Sequence, residues 1–80
     1  MEQTETAVRL SEHDVVALRR DVNGFDAGTE GTVVSAHPAE DVYTVEVSDS
    51  EGRPIDFLSC SHLDLMLLQA ARDTHRNGRG

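Results

Sequence analysis

The chain has no lysine and no tryptophan, and its seven basic side chains are all arginine. Its 15 acidic side chains bring the net charge to −8 at pH 7. Nucleic-acid phosphates are bound mainly by lysine and arginine side chains that displace condensed counterions. A chain of this charge is therefore a poor general binder of nucleic acid, and its acidity is expected to serve solubility or to attract a basic protein.

Long apolar runs and cysteines are also scarce. No stretch of about 18 or more apolar residues predicts a membrane-spanning helix, and no basic-then-apolar leader opens the sequence. The single cysteine, Cys60, excludes an intramolecular disulfide and is typical of a reducing compartment. These features predict a cytoplasmic protein without a membrane partner.

Aromatic side chains number three, namely Phe25, Tyr43 and Phe57. A groove for proline-rich peptides, a methyl-lysine cage and a stacking platform for single-stranded nucleic acid each need several exposed aromatic rings together. Tyr43 and Phe57 have strand spacing that suits core packing, so Phe25 is the one aromatic anchor available for a surface.

Short β-branched segments, separated by turn residues, dominate what is present. Residues 42–47 show the clearest pattern, because Tyr43, Val45 and Val47 alternate with more polar neighbours at a period of two. Asn23-Gly24 and Gly52 mark turns, and Pro38 ends a segment. The predicted strands are residues 13–18, 32–37, 42–47 and 55–60.

The segment after Cys60 supports two interpretations. Ser61 and Asp64 have the spacing of a helical capping box, and the apolar residues that follow fit a short C-terminal helix. Equally, a turn at 61–64 leads into a fifth strand at 65–68. Residues 1–9 are expected to be a flexible leader, and residues 69–80 a flexible or helical tail.

Four or five short strands joined by tight turns predict an all-β domain over residues 10–68, an antiparallel sheet that closes into a small five-stranded barrel. Gly28 and Gly31 are expected at a turn and at a close backbone approach. The predicted core consists of Val16, Leu18, Val34, Tyr43, Val45, Val47, Phe57 and Leu65.

Four sequence pieces, taken in order, resemble a known family. These are the Asp-Val-Val-Ala-Leu segment at 14–18, the Gly-Thr-Glu-Gly-Thr-Val-Val run at 28–34, the Val-Tyr-Thr-Val-Glu-Val strand at 42–47 and the Asp-Ser-Glu-Gly-Arg turn at 49–53. Together they are similar to a small bacterial family catalogued as domain of unknown function 4926, over about residues 10–68. The resemblance implies an SH3-like barrel and brings no established activity or catalytic residues.

Cys60, His62 and Asp64 alternate along the chain and are competent zinc ligands. A structural zinc site usually draws on a second pair of ligands, and here His13, His37 or His75 could complete a site only through the fold. A buried thiol beside an exposed histidine is therefore the favoured interpretation, and no cofactor is expected. The same trio is a poor candidate for a cysteine nucleophile, because so small a barrel has little room for a substrate pocket.

The sequence favours a noncatalytic protein-interaction module over an enzyme. Its acidic faces and an exposed sheet edge would dock a basic protein, in the role of an antitoxin, an immunity protein or an accessory subunit of an enzyme. The partner-binding candidates are Asp21, Phe25, Asp26 and Glu30. The alternative is a nucleic-acid-binding module like the KOW barrels, which requires Arg9, Arg19, Arg20 and Arg53 to share a face. Partner identity and oligomeric state stay open.

Overall fold

Five antiparallel strands form one sheet in residues 10–71, the part of the chain that the computed structural model describes. The prediction of an all-β fold with five strands is confirmed. A 3-10 helix at Pro38–Glu40 connects the second strand to the third, and another at His62–Asp64 precedes the fifth. The strands are β1 (Val15–Leu18), β2 (Glu30–His37), β3 (Val42–Ser48), β4 (Pro54–Cys60) and β5 (Leu65–Gln69), in the spatial order β4-β3-β2-β1-β5.

One face of this sheet holds the core. Val16, Val33 and Leu58 have no solvent-exposed surface at all. Complete burial by a single sheet requires the sheet to curl around its own inner face, as right-handed strand twist allows. Among the described residues, β4 and β5 are the two edge strands of the sheet, and the SH3-like assignment stays a prediction. The core consists of Leu10, Val16, Leu18, Val33, Tyr43, Val45, Val47, Leu58, Cys60 and Leu65.

Two predicted core residues, Val34 and Phe57, were placed on the wrong face. Val34 is 37% exposed because the pairing of β2 with β3 shifts register between Val33 and Ser35, so that Val33 points inward. Phe57 is 55% exposed because Leu58 and Cys60 are the residues of β4 that face the core. In both strands, a shift of one residue in the alternation moves the side chains from the core face of the sheet to the solvent face.

The glycine at position 31 lies at a close approach between β2 and β3. A Cβ atom built on Gly31 would lie 2.6 Å from Val45 Cγ1 and 2.7 Å from the Glu46 carbonyl oxygen. Gly28 has a φ of +95° in the loop before β2, a region that side chains disfavour. The predicted turn and close-approach roles of these glycines are confirmed.

The ambiguous C-terminal segment is a strand, and the helical alternative is wrong. The capping box is real: Ser61 Oγ accepts from the Leu63 N–H, and the Asp64 carboxylate accepts from the Ser61 N–H. It closes a single 3-10 turn, because Leu65 then enters a ladder with β1. Gln69, the first residue of the predicted tail, is the last residue of β5.

The first strand also begins later than the sequence predicts. His13 has a left-handed φ of 78°, so β1 begins at Val15 instead of at residue 13. The predicted leader at 1–9 and the part of the predicted tail at 72–80 lie outside the described residues. Among residues 10–71, no helix has the length and apolar character needed to cross a membrane. The domain limits of 10 and 68 stay a prediction.

Candidate functional site

The loop between β1 and β2 carries three of the predicted partner-binding residues, and the fourth, Glu30, is the first residue of β2. Asn23 and Gly24 form its tight turn, with φ angles of 51° and 89°. On either side of this turn, the N–H groups of Val22 and Phe25 donate to each other's carbonyl oxygens at 2.9 and 2.8 Å. The turn predicted from Asn23-Gly24 is confirmed, and it fixes the tip of the loop.

The base of the loop is fixed by hydrogen bonds to β1 and within the loop. The Gly28 N–H donates to the Leu18 carbonyl at 2.7 Å, and the Leu18 N–H donates to the Thr29 carbonyl at 2.8 Å. Thr29 Oγ1 donates to the Asp26 carbonyl at 2.7 Å. The loop therefore has a defined conformation before any partner arrives, which lowers the entropy cost of binding.

The four predicted residues have different roles in this loop. Asp21 is exposed, but its Oδ1 accepts from the Ala27 N–H at 2.9 Å and so supports the loop. Phe25 is half-buried and packs against the core. Asp26 and Glu30 are exposed, and neither forms an ion pair with another of the residues 10–71. The loop thus leaves two carboxylates available to an outside cation.

The described arginines are occupied by neighbouring acceptors. Arg20 pairs with Asp64 at 3.0 Å, and Arg53 pairs with both Asp49 and Glu51 in the turn between β3 and β4. Arg19 donates from Nε to the Leu65 carbonyl oxygen at 3.0 Å. Because β2 and β3 lie between β1 and β4, Arg53 is remote in the sheet from the other two. This arrangement counts against a phosphate-binding face; Arg9 lies outside the described residues.

The residues Cys60, His62 and Asp64 do not converge on one point. Cys60 is buried at the end of β4, as expected for a buried thiol. His62 turns to Asp41, and Asp64 contacts Arg20 and the Ser61 N–H. Within residues 10–71, no three side chains of the metal-binding types are grouped to hold an ion.

The thiol is also held in its neutral form. Burial raises the pKa of Cys60 to about 11, and the nearby Asp64 carboxylate acts in the same direction. A thiolate is the form of cysteine that attacks substrates and binds metals. At neutral pH, Cys60 is therefore a packing residue.

A histidine–aspartate pair joins the two 3-10 connections. Asp41 has a left-handed φ of 56° just after Pro38–Glu40, and its Oδ1 accepts from both the backbone N–H and the ring Nδ1 of His62, at 2.9 and 2.8 Å. These two hydrogen bonds hold the pKa of Asp41 below its ordinary value, and the bond from the His62 backbone N–H has the larger effect. The pair links the β2–β3 turn to the start of β5.

We expect this contact to make stability depend on pH in acid. A lowered carboxyl pKa stabilises the fold at pH values above the ordinary pKa, and that stabilisation is lost as pH falls through the lowered value. Thermal unfolding of Asp41→Asn, which tolerates the left-handed backbone, should lie below wild type at neutral pH and converge with it in acid. Glu40→Gln, an exposed neighbour, is the control. A difference between Asp41→Asn and wild type that is independent of pH would contradict this role.

A second surface lies on β5, which pairs with β1 and with no other strand of residues 10–71. Met66, Leu67 and Leu68 are consecutive apolar residues that are each more than two-fifths exposed, and Leu63 is 58% exposed beside them. They adjoin an open cleft of about 520 Å³ that Arg19 also lines. The sequence predicted that the sheet has an exposed edge, but it did not assign that edge to β5. The signal that could have done so is the absence of charged residues at 65–71.

The backbone of β5 presents a donor and an acceptor to solvent. The Arg19 N–H donates to the Asp64 carbonyl at 2.7 Å, so Leu18 and Leu65 form a non-hydrogen-bonded pair. Antiparallel alternation then directs the N–H and C=O of Leu65 and Leu67 away from β1. The Leu65 N–H donates to the His62 carbonyl oxygen, and the Leu65 carbonyl oxygen accepts from Arg19 Nε. The N–H and C=O of Leu67 face the edge of the sheet.

The opposite edge, β4, is protected. It begins with Pro54, which has no N–H, and the Asp56 carboxylate accepts from the Phe57 N–H at 2.7 Å. A proline and a charged side chain on an edge strand are common means of preventing another strand from pairing with that edge. Ile55 and Phe57 are exposed on this strand, but its backbone is the less available of the two edges.

A protein-family model matches most of the chain. The model of the family described as Domain of unknown function (DUF4926) matches residues 12–67, which include all five strands except the last two residues of β5. No curated protein and no solved structure matches the chain. By this match over more than half its length, the chain belongs to the family described as Domain of unknown function (DUF4926).

Proposed function

We propose that this chain is a noncatalytic protein-interaction module of the cytoplasm that binds a basic protein through the loop at residues 21–30. The observation that carries the proposal is the pair of exposed carboxylates on Asp26 and Glu30, which have no cation partner within residues 10–71. They flank a loop whose conformation is already fixed. Carboxylates so placed attract a cationic surface and orient it on approach.

Phe25 supplies the apolar part of this surface. It is half-buried against the core, so its ring is held in place while part of it stays accessible. Aromatic side chains with restricted motion are frequent energetic centres of interfaces. The combination of a fixed ring and open carboxylates favours binding of a folded basic protein.

The role that best fits such a module is neutralisation or support of one partner. An antitoxin or immunity protein that masks a basic toxin needs a preformed acidic surface and no chemistry of its own. An accessory subunit of an enzyme needs the same. The paired arginines make the KOW-like nucleic-acid alternative the weaker proposal, and no observation on the described residues favours it.

Affinity capture with matched variants tests the proposal. Tagged wild type, an Asp26→Asn/Glu30→Gln variant and a Glu12→Gln/Glu40→Gln control, all at exposed positions, are used to capture proteins from lysate of the native cells. Both double variants change the net charge by two, so only position distinguishes them. We expect one basic protein to be retained by wild type and by the control, and to be lost from the Asp26/Glu30 variant and at high salt.

Three results would contradict the proposal. Equal loss of the partner from both double variants would show that net charge alone, and not this loop, attracts it. Retention by both variants at wild-type levels would place the interface elsewhere. Retained RNA that disappears on nuclease treatment would favour the KOW-like alternative.

A further inference from the structure

We propose that β5 pairs with β5 of a second copy of this chain, so that two sheets join into one across a two-fold axis at Leu67. The two strands run antiparallel, and the Leu67 N–H of each copy donates to the Leu67 C=O of the other. This inference concerns a different surface from the acidic loop and does not depend on what that loop binds.

Charge is the first reason to choose a second copy. Two chains of net charge −8 repel each other, so contact between them is favoured where neither presents an acidic side chain. Residues 65–71 contain no charged side chain, in a chain where 28% of residues are charged. A basic partner, in contrast, would find no carboxylate on this strand to select it.

The sequence of β5 is the second reason, because it complements itself. With Leu67 opposite Leu67, Met66 of one copy lies opposite Leu68 of the other, so the three central cross-strand pairs are apolar, and Leu65 lies opposite Gln69 at either end of the strand. The register of β1 with β5 shifts between Val15 and Val16, which leaves Leu68 as the extra residue and adds twist. The new pairing is therefore short and centred on Leu67.

The cleft beside β5 is the third reason. It is lined by Leu63, Leu65 and Met66 among others, and lies at the strand's start. In the register centred on Leu67, Ala70 and Ala71 of the second copy run alongside this start. The alanine side chains are small and apolar, so they cover the exposed surface of Leu63 without placing a charged group against it.

The protected β4 edge makes the assembly a closed dimer. Each copy offers one open edge, and Asp56 and Pro54 obstruct the other. Pairing through a two-fold axis consumes both open edges, so no further copy can be added. The expected assembly has twice the 8.8 kDa mass of one chain.

Sedimentation velocity and light scattering over a concentration series measure the mass of the full chain. We expect a monomer–dimer equilibrium that shifts toward dimer in high salt, because salt screens the repulsion of the two acidic chains and leaves apolar contact intact. Binding of a basic protein at the acidic loop has the opposite salt dependence. The two proposals can therefore fail separately.

Charge variants test the register. Met66→Lys and Leu68→Glu each place a charge against an apolar residue of the second copy, and each is expected to weaken the dimer about tenfold or more. When mixed, the two variants form one Lys–Glu pair and one Leu–Met pair, so a mixed dimer should return. Ile55→Lys on β4 is the matched control, at a position that is 57% exposed.

Circular dichroism and thermal unfolding of each variant establish that the monomers are folded. A wild-type mass that stays at one chain at every concentration and salt would overturn the proposal. It would also be overturned if Ile55→Lys dissociates the dimer while the β5 variants do not. Failure of the mixed variants to associate, with each separately monomeric, would refute the register at Leu67.

Discussion

Leu58→Ala should lower the free energy of unfolding by about 2–5 kcal/mol, the usual cost of deleting a fully buried leucine side chain, whereas Phe57→Ala should change it by less than about 1 kcal/mol. Leu58 has no exposed surface, while Phe57 is 55% exposed on the outer face of β4. The difference between neighbours follows from alternation along one strand.

Urea denaturation of both variants measures this contrast. A small domain has a total stability of about 5 kcal/mol, so Leu58→Ala is expected to be partly unfolded at room temperature. Ile55→Ala, on the same outer face as Phe57, is the control and should behave like Phe57→Ala. Equal destabilisation by Phe57→Ala and Leu58→Ala would show that β4 has the opposite phase.

Asp14→Ala should be the second most damaging change, with an expected loss of about 2–4 kcal/mol. Asp14 is 4% exposed, and each carboxylate oxygen has a backbone donor: Oδ1 accepts from Ala71 and Oδ2 from Ser11, both at 2.8 Å. Removal of the carboxylate leaves two partly buried N–H groups without an acceptor. It also detaches the end of β5 from the start of β1.

Chemical denaturation of Asp14→Ala and Asp14→Asn separates the two contributions. Asparagine keeps one acceptor oxygen in place, so Asp14→Asn should lose less stability than Asp14→Ala. Glu12→Ala, an exposed acid two residues earlier, is the control and should be nearly neutral. A cost below about 1 kcal/mol for Asp14→Ala would show that water replaces the carboxylate at both donors.

The role of Asp14 illustrates what local sequence reasoning misses. Ser11 and Asp14 have the spacing of a capping box, and half of that contact exists in the hydrogen bond from the Ser11 N–H. The other half of the carboxylate binds Ala71, 57 residues away. No local pattern reports a partner at that distance.

The two surfaces differ in how far the sequence revealed them. The acidic loop was visible because Asn23-Gly24 predicts a turn and the acidic residues flank it. The β5 edge depended on strand order, which decides that β5 pairs with β1 and with no other described strand. Residues 65–68 were equally compatible with a helix until that pairing was known.

The sequence by itself determined the all-β class, four of the strands, the turns at Asn23-Gly24 and Gly52, and the roles of Gly28 and Gly31. Apart from the close approach of Gly31 to β3, each of these depends on the conformation of a few adjacent residues, which side-chain type restricts directly. Tertiary structure alone decided the faces of Val34 and Phe57, the strand at β5 and the separation of Cys60, His62 and Asp64. These depend on register between distant strands, and a shift of one residue reverses which side chains are buried.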